Sequence, residues 1–176
     1  MVIQPSDKRV SRLIERLRDK DKIRILFVCL GNICRSPAAE GLMREIADGH
    51  DDSARWVIDS AGTGNYHTGD LPDKRMRIHA RRRGVELIHI CRQVRESDFE
   101  DFDIIIGMDD SNIARLRRIA PTPEDEEKVV PCTAFFGQYR HFDHVPDPYY
   151  DGDDGFETVL DILTDATQNI YDTLSR

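Results

Sequence analysis

The chain of 176 residues has no apolar run approaching the about 20 residues that a membrane span needs. Its opening stretch, MVIQPSDKR, lacks the apolar core and small-residue cleavage site of a secretory signal. A cytoplasmic protein with no membrane partner is expected. A positive excess is also missing, since the formal net charge is −8. That disfavours nucleic acid as the partner, because a phosphate backbone calls for a basic face. Cysteines number only four, and a single domain of this size in a reducing compartment holds its core without disulfides. Cys29-x4-Cys34 with His141-x2-His144 offers metal-ligand types but no recognised zinc spacing, so neither a metal nor another cofactor is expected.

What the chain does contain is organised around Cys29 to Pro37. The apolar run Ile23 to Val28 reads as a buried parallel strand, and Ala38 to Ile46 as a helix whose first turn accommodates Pro37. Strand, tight loop and helix together aim backbone N–H groups at one point above a helix N-terminus, a place that attracts an oxyanion. Cys29 at the strand end faces the helix dipole, the loop amides and Arg35, all of which favour thiolate over thiol. The planar fork of Arg35 grips two phosphate oxygens at once. Gly31 permits close approach or positive φ, and Asn32 tolerates the left-handed region.

Cys29, five residues, Arg35, then Ser36-Pro37, in the full string CLGNICRSP, resembles the phosphate-binding loop of the low-molecular-weight protein tyrosine phosphatases. The match continues in order through Asp59-Ser60-Ala61-Gly62, His89-Ile90-Cys91-Arg92, Met108-Asp109 and Asp147-Pro148-Tyr149-Tyr150. It divides the chain into an N-terminal helical extension, residues 1–22, and a phosphatase domain, residues 23–176. The resemblance implies a metal-independent phosphotyrosine phosphatase with a cysteinyl-phosphate intermediate and phosphotyrosine-containing protein substrates, acting as a monomer or weak homodimer. Cys29 is the implied nucleophile and Arg35 the phosphate clamp, with Leu30, Gly31, Asn32, Ile33, Cys34 and Ser36 completing the substrate loop.

A phenol with pKa near 10 leaves poorly as an anion, so a general acid is required. Taken alone, Pro146-Asp147-Pro148 is a turn signal. Paired with the Cys29 loop, the resemblance makes Asp147 the acid and later the base. Tyr149 and Tyr150 are placed to wall a deep cleft, with Tyr66 opposite by analogy, although ordinary packing remains open for all three. Ser36 is expected to hydrogen-bond the Cys29 sulfur, to cap the following helix, or both. Asn32, Ser60 and His89 are carried over as supports for the loop, and Cys34 either packs or forms a reversible disulfide with Cys29.

On the same scaffold, phosphoarginine phosphatases typically have threonine where Ile33 stands, and thioredoxin-coupled arsenate reductases need a further cysteine pair on a mobile segment. A non-catalytic phosphate-binding or partner-docking module is the remaining alternative. Alternating strands and helices predict a doubly wound four-stranded parallel sheet with helices on both faces, flavodoxin-like, plus an extra N-terminal amphipathic helix. That helix carries Val10, Leu13, Ile14 and Leu17 on one stripe. It packs on the domain or serves a partner. Further helices are expected from Pro72 to Arg83, from about Asp109 to Ile119 and from about Gly155 to Leu174. Pro121 to Glu127 reads as an exposed loop, and Arg81-Arg82-Arg83 as a solvated helix end or docking patch.

Overall fold

A computed structural model describes residues 1–175, so Arg176, the end of the expected domain, lies outside the described residues. Four parallel strands, β1 (Ile23–Cys29), β2 (Trp56–Gly62), β3 (Ile104–Gly107) and β4 (Val129–Pro131), form one sheet in the order β2-β1-β3-β4. β1 is central. Its side chains alternate across the sheet. Ile23, Ile25, Phe27 and Cys29 enter the larger core, while Leu26 and Val28 enter the smaller one.

The larger core is covered by α1 (Lys8–Arg18), α2 (Arg35–Gly49), α3 (Lys74–Arg82) and α7 (Asp153–Leu174). The short α4 (Asp98–Asp101) and α5 (Asp110–Ile119) cover the other face with Phe99, Ile113 and Leu116. This is the doubly wound, flavodoxin-like arrangement expected. In the last helix Phe156, Val159, Leu160, Leu163, Ile170 and Leu174 are fully buried.

The N-terminal helix is present and packs on the domain. Asp7 caps it by accepting from Arg9 N at 2.8 Å, and Val10, Leu13, Ile14 and Leu17 are all buried. Ile3 N donates to Thr173 Oγ1 at 2.8 Å and Arg18 Nε to the Thr173 carbonyl at 2.6 Å, which fastens this segment to the end of α7.

Several boundaries differ from the sequence reading. β2 runs to Gly62, which stands opposite Cys29 in the ladder. Pro72 lies outside α3, which Asp73 caps through Arg75 N at 2.8 Å. Gly84 follows it at φ +81°, a left-handed conformation that glycine adopts without a Cβ penalty. The acidic stretch expected as loop contains a single helical turn, α6 (Pro123–Glu126), capped by Thr122 through Asp125 N at 3.1 Å. The arginines after α3 are not wholly free: Arg81 pairs with Glu86, and Arg83 pairs with Glu157 and Asp161 of α7.

Candidate active site

β1 ends at Cys29 and α2 begins at Arg35, so the intervening loop closes over a helix N-terminus whose first N–H groups lack intrahelical acceptors. The Cys29 sulfur lies 3.0 Å from Ser36 Oγ. Ser36 in turn accepts from Asn32 Nδ2 at 2.8 Å and approaches the Ala61 carbonyl at 3.3 Å. Cys34 occupies the cap position of α2 without a side-chain capping bond.

Asn32 holds the loop. Its φ is 58°, a left-handed conformation outside glycine, and it is completely buried. Residues held there cost about 1–3 kcal/mol and persist only where their surroundings impose the conformation. Here five contacts impose it. Nδ2 donates to Ser36 and to Ser60 Oγ at 3.0 Å, and Oδ1 accepts from His89 Nε2 at 2.7 Å and Arg92 N at 3.0 Å. The Asn32 carbonyl accepts from the Cys91 thiol at 2.8 Å. The positive φ falls at Asn32 and not at Gly31. Gly31 instead allows close approach, since a Cβ there would stand 3.2 Å from the His67 ring.

Behind His89 lies a layer in which sequence reasoning assigned a role to Ser60 alone. His89 Nδ1 sits 3.1 Å from Glu40 and 3.4 Å from Asp59, and Ser60 Oγ donates to Glu40 at 2.9 Å. Arg92 bridges Asp59 at 3.1 Å and the buried Asp98 at 2.9 Å. Glu40, Asp59 and His89 offer ligand atoms within 4.8 Å of one another, whereas the cysteine and histidine set weighed in the sequence is not assembled among the described residues. Burial opposes ionisation of Glu40, but His89, Arg44 and Ser60 outweigh it and hold the carboxyl below its ordinary range.

Arg35 is only 3% exposed at its side chain. Nη1 donates to Asp109 at 2.7 Å and to the Val145 carbonyl at 3.0 Å, and Nη2 lies 3.7 Å from Asp147. Burial disfavours the guanidinium charge, yet Cys29, Asp109 and Asp147 more than compensate and raise its pKa above the usual value. Asp109 also caps α5 by accepting from Asn112 N at 2.9 Å.

Cys29, Arg35 and Asp147 line one cavity of about 330 Å³, together with Leu30, Gly31, Ile33 and Cys34. Its walls are Tyr66, Tyr149 and Tyr150, with His67 as a lining residue the sequence did not flag. Tyr66 is 73% and Tyr150 92% exposed, so neither serves as core packing, while Tyr149 at 37% meets Tyr150 edge-on at 4.9 Å. Tyr149 N donates to Asp147 at 3.1 Å.

All four cysteines are free and buried. Burial pushes the thiol of Cys34 well up, that of Cys91 to about 11 and that of Cys132 to about 12.

Residues 24–176 match the family model described as low molecular weight phosphotyrosine protein phosphatase. A Schizosaccharomyces pombe protein named low molecular weight phosphotyrosine protein phosphatase is 38% identical over 157 residues, covering 87% of this chain and 97% of its own. The crystal structure of a protein tyrosine phosphatase from Entamoeba histolytica superimposes with a TM-score of 0.84 at 42% identity, covering 87% of this chain and 97% of that one. A Drosophila arginine phosphatase superimposes with a TM-score of 0.79 at 29% identity, over 85% of this chain and 96% of that one. With nearly its whole length after the N-terminal helix accounted for, the chain belongs to the low molecular weight phosphotyrosine protein phosphatase family.

Proposed function

We propose that the protein hydrolyses phosphotyrosine in proteins through a phosphorylated Cys29. The observation that carries this reading is the convergence of the Cys29 sulfur, the Arg35 guanidinium and the Asp147 carboxyl in one tyrosine-walled cavity.

The Cys29 thiolate attacks phosphorus, forming the S–P bond as the P–O bond to the phenol breaks. Arg35 and the amides at the start of α2 hold the equatorial oxygens, whose charge grows least costly in a site with prearranged donors. Asp147 supplies the proton to the departing phenol oxygen. Ser36 Oγ lies 3.0 Å from the sulfur, and its O–H, turned to the thiolate, stabilises it as attacker and again as leaving group. In the second step Asp147 takes a proton from water, whose oxygen bonds phosphorus and releases inorganic phosphate with regeneration of Cys29. Asn32, Ser60 and His89 position the loop and do not touch the reacting atoms. Leu30, Gly31, Ile33 and Cys34 shape the phosphate bed, and the three tyrosines sandwich the phenol ring, where a good ring pair contributes about 0.5–1.5 kcal/mol.

Cys34 lines the same cavity as Cys29. Peroxide converts the Cys29 thiolate to a sulfenic acid, and condensation with the Cys34 thiol forms the disulfide and releases water. Inactivation by peroxide that dithiothreitol cannot reverse would remove this role.

We place the protein in the cytoplasm, with phosphoproteins as partners and no obligate oligomer. No helix among the described residues is long and apolar enough to cross a membrane.

The likeness to an arginine phosphatase favours one second reading, in which the same chemistry acts on phosphoarginine. The test is stopped-flow hydrolysis of p-nitrophenyl phosphate, a phosphotyrosine peptide and a phosphoarginine peptide by the wild type, Cys29→Ser and Asp147→Ala. A phenol burst, abolished turnover in Cys29→Ser and a larger Asp147→Ala defect on the peptide than on the activated ester are expected. Preference for phosphoarginine moves the substrate class, and no turnover of any ester sinks the phosphatase reading.

A further inference from the structure

A second cavity, of about 290 Å³, adjoins the first and shares Leu30 and Tyr66 with it. Its far wall is one stripe of α5. Ser111, Ala114, Arg115 and Arg118 recur at helical spacing and all are exposed. Among the described residues, Arg115 and Arg118 have no hydrogen bond and no carboxylate partner, unlike Arg35, Arg75, Arg83 and Arg92. Two unpaired guanidinium groups thus face a hollow beside the reaction centre of a protein whose net charge is −8. The helix dipole accounts for basic residues in the last turn, Arg117 and Arg118, but not for the alignment of Arg115 with the cavity.

We propose that Arg115 and Arg118 form an anion subsite that takes a carboxylate or second phosphate flanking the phosphotyrosine in the same polypeptide. The proposal rests on the phosphatase reading for its substrate. The dimensions agree. The stripe from Ser111 to Arg118 rises about 10 Å along α5, which matches about three residues of extended chain. A peptide whose phosphotyrosine enters between Tyr66 and Tyr149 crosses the Leu30–Tyr66 rim and lays its neighbours along this wall. Arg115 and Arg118 make no contact with Cys29, Arg35 or Asp147, so their contribution is to peptide capture and not to the chemical step. Exposed ion pairs each shift an equilibrium by up to about fivefold, and the attraction fades with salt.

The experiment compares the wild type with Arg115→Gln/Arg118→Gln and Arg115→Glu/Arg118→Glu. Substrates are p-nitrophenyl phosphate and phosphotyrosine peptides with neutral flanks, with aspartates on either side, or with a second phosphate. The wild type should favour the anionic peptides by about tenfold in kcat/KM at low salt, through KM. The Gln pair should erase that preference and the Glu pair reverse it, with the p-nitrophenyl phosphate constants unchanged. A larger gain from phosphate than from aspartate would identify the second phosphate as the preferred anion, and the opposite order a carboxylate. Equal use of neutral and anionic peptides by the wild type, or equal loss on both in the variants, would overturn the proposal. Peptide binding to Cys29→Ser protein, read by fluorescence anisotropy with and without the arginine changes, separates the two readings. An arginine-dependent preference there without ester turnover in the wild type keeps the subsite while the phosphatase reading fails.

Discussion

Arg75 grips Tyr149 at two points. Its guanidinium lies 5.5 Å from the ring centroid, and Nη2 donates to the Tyr149 carbonyl at 3.0 Å. The same side chain pairs with Asp73, the cap of α3, at 3.0 Å and stacks over Phe156 of α7 at 4.8 Å. The segment carrying Asp147 is therefore braced from α3.

Removing that brace should affect the proton-donating side of the reaction more than the nucleophile. The contact and hydrogen bond together amount to about 2 kcal/mol. Arg75→Ala is expected to lower kcat about tenfold on a phenol of high pKa, with a smaller loss on p-nitrophenyl phosphate. Equal losses on the two esters would show that Arg75 does not act through the Asp147 segment.

Gly62 meets the phosphate loop edge to edge. A Cβ at Gly62 would stand 2.6 Å from the Leu30 carbonyl oxygen and 3.0 Å from Asn32 N, both backbone atoms that a rotamer change cannot move. Gly62→Ala should shift the loop by a sizeable fraction of an ångström and reduce kcat about 100-fold, with about 1–3 kcal/mol lost in stability. Kinetics alongside thermal unfolding will decide, and wild-type turnover would show that the loop tolerates the methyl group.

Glu40 gives the fold an acid-sensitive point. Its carboxyl is held below the ordinary range in the folded protein, so the stability it contributes is present above the unfolded value of about 4.3 and is lost as pH falls through the folded one. Glu40→Gln is expected to lose about 1–3 kcal/mol at pH 7, since His89 and Ser60 keep poorer partners, and to show a flatter loss of stability below about pH 4. Denaturant unfolding at both pH values tests this, and parallel curves for the two proteins would exclude it.

Thiol chemistry should be selective. Burial holds Cys34, Cys91 and Cys132 as protonated thiols, at about 11 for Cys91 and about 12 for Cys132, while Cys29 lies in the cavity beside the Arg35 guanidinium. Brief treatment with iodoacetate at neutral pH should alkylate Cys29 alone, with inorganic phosphate slowing the reaction. Peptide mapping that finds Cys91 modified at a comparable rate would contradict the role of its S–H as donor to Asn32.

The most legible parts of the site were those carried by adjacent residues. Cys29 to Pro37 declares strand end, loop and helix start within one short string, and Asp147 is flanked by two prolines that restrict its loop. Glu40 and Asp59 meet His89 only because α2, β2 and the segment before α4 converge under the loop, a juxtaposition that no local spacing encodes. Asp109 was readable as the start of a helix, which it caps. Its second oxygen reaches Arg35 only because β3 lies beside β1. Thr122-Pro123 does carry a local start signal for α6, and it was overridden by the polar composition around it.

β1 is hydrogen-bonded along both flanks, to β2 on one side and β3 on the other, and the Cys29 sulfur hangs from its last residue. Amide exchange at Val28 and Cys29 should then require opening of the whole sheet, whereas the exposed stretches around Tyr66 and Tyr150 exchange by small local fluctuations. On the proposed mechanism, the sulfur that attacks phosphorus and the rim that meets the substrate are expected to open independently of each other. Sequence change at the rim can therefore retune what enters without loosening the nucleophile beneath it.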